Sequence, residues 1–225
     1  MGNPNPKRAW PHVAAGAAVP GLMIAAILAI FAFAPTERTM GDAQRILYVH
    51  VAVAWSALWA LLVTAGAGVR YLVGRNLAWD RWSQSAAEIG WLSATLTLVT
   101  GSLWARSAWG VWWTWEPRLT ATLILWAIYG GYLLLRAGLE DPHRRARTAA
   151  VLAVLGALDV PLVIVATRWF RGIHPAPPEM EPSMRAVLLT SIVAFSALFV
   201  MLIVRRRAQL DLAAALAALE EKLEV

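Results

Sequence analysis

The sequence predicts an all-α fold, a polytopic membrane protein with six transmembrane helices. Three observations carry this prediction: an apolar composition, six apolar runs of membrane-spanning length, and basic residues gathered at the ends of those runs. Of the 225 residues, 59% are hydrophobic and 15% charged, with a mean hydropathy of +0.56. A soluble domain of this size cannot hide so much apolar surface, so a bilayer must act as its solvent.

A hydrocarbon core roughly 30 Å thick is crossed by about 20 apolar residues in a helix. Six runs meet that need, at approximately 13–34, 46–69, 86–104, 119–135, 149–167 and 184–204. They consume most of the chain, so residues 1–225 are expected to form a single integral membrane domain. The first run follows Lys7 and Arg8, and Ala32-Phe33-Ala34 imitates a signal cleavage site. Its length and the following Pro35 argue for a retained span.

The net charge of +6 is distributed as a topology signal and not as a nucleic-acid stripe. Alternation of six spans puts thirteen basic residues on one side: Lys7, Arg8, Arg70, Arg75, Arg81, Arg136, Arg144, Arg145, Arg147, Arg205, Arg206, Arg207 and Lys222. The other side holds seven: Arg38, Arg45, Arg106, Arg118, Arg168, Arg171 and Arg185. The positive-inside rule then makes both termini cytoplasmic and sends the loops at about 35–45, 105–118 and 168–183 outward. The inward loop from Arg136 to Thr148 reads as solvated charge, with His143 an exposed polar residue and His12 on the same side. After Arg205-Arg206-Arg207, a tail of about 205–225 places Leu212, Leu216, Leu219 and Leu223 at helical spacing. It can extend the sixth helix, lie on the membrane or meet a partner.

There is no cysteine. Disulfides, thiolate metal sites, iron–sulfur ligation and covalent haem attachment through Cys-x-x-Cys-His are therefore excluded in this chain.

The chemistry-bearing segment is Trp109-Gly110-Val111-Trp112-Trp113-Thr114-Trp115-Glu116-Pro117-Arg118, which follows Trp104. Interfacial belts use Trp because the indole has an apolar body and an N–H suited to the headgroup layer. A belt needs only one or two rings per helix end. Four of thirteen tryptophans within seven residues instead suggest a surface for a large planar ligand. Glu116-Pro117 is a helix-start signal, with an acidic charge before a proline suited to the first turn.

Two histidines share the outward side, His50 inside the second run and His174 in the last outer loop. Imidazole nitrogens suit the two axial positions of haem iron, which makes this pair the candidate ligand set. Arg118, Arg106, Arg168 and Arg171 are candidate partners for the haem propionates, since guanidinium binds carboxylate bidentately. The choice among the four stays open.

Trp-Gly-x-Trp-Trp-x-Trp followed by an acidic residue resembles the tryptophan-rich (WWD-type) motif of the haem-handling proteins of cytochrome c maturation. The flanking histidines, six spans and short length most resemble the cytochrome c maturation protein C, or haem exporter protein C, family. The likeness covers nearly the whole chain, including Gly41-Asp42-Ala43-Gln44-Arg45-Ile46 and Tyr48-Val49-His50-Val51.

The resemblance implies a protein of the bacterial inner membrane that binds haem b transiently on its periplasmic face, through His50 and His174 and a platform of Trp109, Trp112, Trp113, Trp115 and Glu116. It further implies delivery to a CcmE-like periplasmic haem chaperone, together with ABC transporter subunits and a small membrane subunit. No bond chemistry is expected of the chain itself. Glu116 stands where the family usually has Asp, Ala52 where Pro is common, and Asp159 where Asn is more frequent. A carboxylate near mid-membrane is costly, and Pro161 beside it suggests local polar packing at a kink. The competing classes are a b-type oxidoreductase subunit, which needs intramembrane histidine pairs that these four histidines do not supply, and a structural subunit, which leaves the tryptophan loop unexplained.

Overall fold

The computed structural model describes residues 6–169 and 180–223, with side chains at all of these except 6–15, 17, 167 and 168. Among the described residues there are helices and no strand, so the chain is an all-α membrane protein. The elements are α1 (Pro6–Leu28), continued by the π-helical turn Ala29–Phe33, then α2 (Gln44–Gly74), α3 (Leu77–Trp109), α4 (Pro117–Ala137), α5 (Pro142–Ala157), α6 (Asp159–Trp169) and α7 (Pro182–Leu223). With α5 and α6 nearly continuous, they make six rods, one for each apolar run.

Among the described residues, four stretches are long and apolar enough to cross a bilayer: Gln44–Gly74, Pro117–Ala137, Pro142–Ala166 and Pro182–Leu223. The first rod contributes the apolar stretch Ala18–Phe33. α3 has ample length but carries Asp80, Arg81, Glu88 and many Ser and Thr residues. It tolerates them because it packs against α2, α4, α5 and α7, and because its hydroxyls find carbonyls, those of Ser93, Thr95, Thr97 and Thr100 one turn back on α3 itself and that of Ser83 on α2. Ser83 Oγ donates to Thr64 O at 3.0 Å and lies 3.1 Å from Tyr132 Oη.

Local chemistry sets the ends of the rods. Arg75 closes α2 in the left-handed region at φ 52°, with its N–H donating to Tyr71 O at 2.7 Å. Asn76 then caps α3 through its side chain, which accepts from Ala78 N at 2.8 Å. The resulting turn is tight, so α2 and α3 form an antiparallel pair. α4 starts at Pro117, as the Glu116-Pro117 signal predicts. The fifth rod breaks at Leu158. Pro161 supplies no N–H to the carbonyl four residues earlier, so the helical ladder is interrupted there. Asp159 opens α6 at 9% exposure, and its buried Oδ2 has no hydrogen-bond partner among the described residues.

Close helix approach depends on small residues. A Cβ on Gly68 would stand 3.3 Å from the Ala150 backbone, which brings α2 against α5. Tyr129 Oη, fully buried, has Leu61 O at 3.1 Å and Ala153 O at 3.0 Å, tying α4 to both α2 and α5.

One expectation is corrected here. Arg136 is not solvated: it is 6% exposed and bonded to Asp80 and Gln84 of α3. The loop that follows is also largely helical, since α5 begins at Pro142. The tail is settled as an extension of the last helix. Arg206 grips Glu88 at 2.5 and 3.1 Å, and Arg81 meets Asp211 at 2.5 Å. Beyond Asp211 the leucines of the stripe are exposed.

Candidate haem-binding site

The antiparallel order divides the bundle into two ends. One gathers the start of α2, the end of α3, the start of α4 and the start of α7. The other gathers the α2–α3 turn, the end of α4, the start of α5 and the distal part of α7, and there lie Arg75, Arg81, Arg136, Arg144, Arg147 and Arg205–Arg207. A cavity of about 480 Å³ at that second end is lined by Arg75, His143, Arg144, Arg147, Thr148 and Val151. His143 is bound there by Tyr71, whose Oη donates to His143 O at 3.0 Å and lies 3.2 Å from Nδ1.

The first end carries the tryptophan loop. α3 ends at Trp109 because Gly110 takes φ 77°, a conformation that suits glycine, and returns its N–H to Arg106 O at 3.1 Å. The Arg106 guanidinium bonds Gly110 O and lies 5.9 Å from the Trp112 ring centroid. That residue therefore braces the loop, and its arginine is already engaged by the protein. Chain from Gly110 to Glu116 is irregular until Pro117 opens α4.

Two ring pairs meet edge to face, Trp104 with Trp109 at 4.7 Å and Trp113 with Trp115 at 5.8 Å. Neither pair forms a continuous flat sheet, so a planar ligand would meet individual ring faces. Trp104 is buried and belongs to the core with Leu47, Tyr48, Ile30, Met184 and Val187. Trp112 and Trp115 are 57% and 77% exposed. Two polar atoms in the loop, Trp113 Nε1 and Thr114 Oγ1, are buried without a hydrogen-bond partner among the described residues. Glu116 precedes the first turn of α4, and its backbone carbonyl accepts from Thr120 N at 3.0 Å. Arg118 is partly buried in that turn.

His50 lies at this same end, partly buried, with Nδ1 3.1 Å from Thr100 Oγ1 of α3. Thr100 is one helical turn before Trp104, so histidine and aromatic cluster share one face of α3. His174 and Arg171 lie outside the described residues, and Arg168 is in α6 with its side chain outside them. Met180, six residues after His174, packs against the Trp104 cluster. Neither Thr100 nor Gly101 is marked by the sequence reading. The one signal was a glycine inside a helical run, which often reports a close approach.

The loop leading into α2 is ordered by its own polar groups. Glu37 Oε2 accepts from Thr39 Oγ1 and Thr39 N, both at 2.7 Å, and from Met40 N at 2.5 Å. These bonds, that of the Thr39 hydroxyl foremost, hold its carboxyl below the usual range. Arg45 bonds Asp42 at 3.0 Å and also reaches Ile30 O, a carbonyl of the π-helical turn.

Residues 5–219 match the family model of haem exporter protein C. The haem exporter protein C of Bradyrhizobium diazoefficiens is 36% identical over 178 residues, covering 76% of this chain and 68% of its own. That of Escherichia coli K12 is 31% identical over 193 residues, covering 79% and 77%. That of Rhodobacter capsulatus is 32% identical over 202 residues, covering 85% and 83%. With the family model spanning nearly the whole chain and these relatives agreeing, this chain belongs to the haem exporter protein C family.

Proposed function

We propose that this chain binds haem at the bundle end carrying the tryptophan loop and takes part in haem export for c-type cytochrome biogenesis. Family membership supports the role, and one observation supports the place: His50 sits against α3 at Thr100, one turn from Trp104, at the bundle end whose loop exposes the rings of Trp112 and Trp115. In this reading His50 is one axial ligand and His174 the other. Chain length allows it, because six residues reach at most about 20 Å and Met180 packs at this end.

Each group has a task that its chemistry suits. The histidines hold iron, while Trp109, Trp112, Trp113 and Trp115 cover the apolar ring. Trp113 Nε1–H and Thr114 Oγ1–H are donors suited to a propionate oxygen, as are the guanidinium groups of Arg118, of Arg168 at the end of α6 and of Arg171. Arg106 stabilises the loop on which the rings stand. Glu116 sets the start of α4. A site of exposed rings on an irregular loop favours transient binding of haem b and its release to a CcmE-like chaperone, with ABC transporter subunits and a small membrane subunit as further partners. The arginine-rich end is cytoplasmic and the tryptophan end periplasmic, in the inner membrane, by the charge rule.

The absorption spectrum of the purified protein after haem b addition tests the reading. A low-spin, six-coordinate spectrum at one haem per chain is expected. A spectrum equal to free haem in the same detergent would contradict it.

A further inference from the structure

His50 is held from one side by two consecutive residues of α3. Thr100 Oγ1 lies 2.6 Å from Leu96 O and 3.1 Å from His50 Nδ1. Two oxygens approach that closely only with a proton between them, and a carbonyl has none to give. The hydroxyl therefore donates its single proton to Leu96 O. Toward the imidazole it can only accept, so Nδ1 carries the hydrogen and the ring's lone pair is on Nε2.

The same device occurs five residues earlier with its polarity beyond question. Thr95 Oγ1 bonds Trp91 O at 2.9 Å and accepts from Trp126 Nε1 at 2.8 Å, and an indole nitrogen is always a donor. α3 thus uses back-bonded threonines as acceptors for ring N–H groups on neighbouring helices.

Gly101 completes the seat. A Cβ built there would stand 2.9 Å from His50 Cε1, closer than real contacts allow, and 3.4 Å from Nδ1. Glycine inside a helix weakens it, and here its absent side chain lets the imidazole lie against the helix backbone.

We propose that Thr100 and Gly101 are positioning residues for haem binding: Thr100 fixes His50 in the Nδ1–H tautomer, which presents the Nε2 lone pair to iron, and Gly101 gives the ring its place. This rests on the reading of His50 as a ligand. Iron-binding imidazoles depend on such a partner for orientation and basicity, and its loss typically weakens binding by about 10–100-fold.

The test has two arms. Nitrogen-15 NMR of histidine-labelled, haem-free protein, with the His50 resonances identified by their loss in His50→Gln, should show the Nδ1–H tautomer. Thr100→Val, which keeps shape and removes the acceptor, should shift His50 toward Nε2–H, and Thr100→Ser should restore it. In haem b titrations, Thr100→Val should bind about 10–100-fold more weakly, Thr100→Ser as the parent does, and Gly101→Ala should lose the low-spin spectrum. An unchanged tautomer in Thr100→Val, or parental affinity in that variant, would overturn the seat. A shifted tautomer together with low-spin haem surviving in His50→Gly supports the seat and instead overturns His50 as a ligand.

Discussion

Arg136 holds Asp80 with both terminal nitrogens, at 2.6 and 2.8 Å, in a place where neither side chain is more than 6% exposed. The pair joins α4 to α3, and Gln84 Oε1 takes a third bond from Arg136 at 2.7 Å. Removing one partner leaves the other charge buried, at a cost of about 3–5 kcal/mol. Arg136→Ala should therefore unfold at markedly lower temperature or denaturant. The double variant Arg136→Met, Asp80→Leu should recover much of that loss, as equilibrium unfolding in detergent would show.

Ser107 and Thr148 mark opposite ends of the bundle, and both are exposed. In this cysteine-free chain, Ser107→Cys should react with a membrane-impermeant thiol reagent applied to the periplasmic side. Thr148→Cys should react only after the inner membrane is opened. The reverse labelling would invert the orientation.

Trp112, Trp113 and Trp115 offer ring faces that contribute about 0.5–1.5 kcal/mol each beyond area burial when stacked. Replacing all three with Ala should lower haem retention cumulatively, while helix content by circular dichroism is kept. Undiminished haem content in that folded variant would reduce the loop to an interfacial belt.

The carboxylate of Glu37 is held below its ordinary value of 4.5 by bonds from Thr39 and Met40. A depressed carboxylate stabilises above its unfolded value, and that contribution is lost as pH falls through the folded one. Amide hydrogens of Thr39 and Met40 should be protected above about pH 4.5 and lose protection at lower pH relative to other loop amides. The group lies in a loop and is only partly buried, so the effect should be local and global stability should not follow it.

Much of the fold was legible because its causes are local. Six apolar runs became six rods, Pro117 opened α4, and Leu158 broke the fifth rod beside Pro161. What stayed hidden depends on partners distant in sequence. Arg136 reads as loop charge until Asp80, 56 residues away, is brought beside it. Thr100 is an ordinary helical threonine until α2 delivers His50, and ring angles in the tryptophan loop follow from packing that spacing does not encode. At the site, composition and spacing identified the aromatic loop and His50 on one end of the bundle.

The absorption spectrum of haem b bound to His50→Gly and to His174→Gly, with and without added imidazole, tests the central claim most directly. Each substitution removes one nitrogen and leaves a space, so low-spin haem should become five-coordinate and imidazole should restore the parental bands. His12→Gly and His143→Gly, at the opposite end, should keep them throughout. Unaltered low-spin haem in either His50→Gly or His174→Gly, or loss of haem in His143→Gly, would contradict the account.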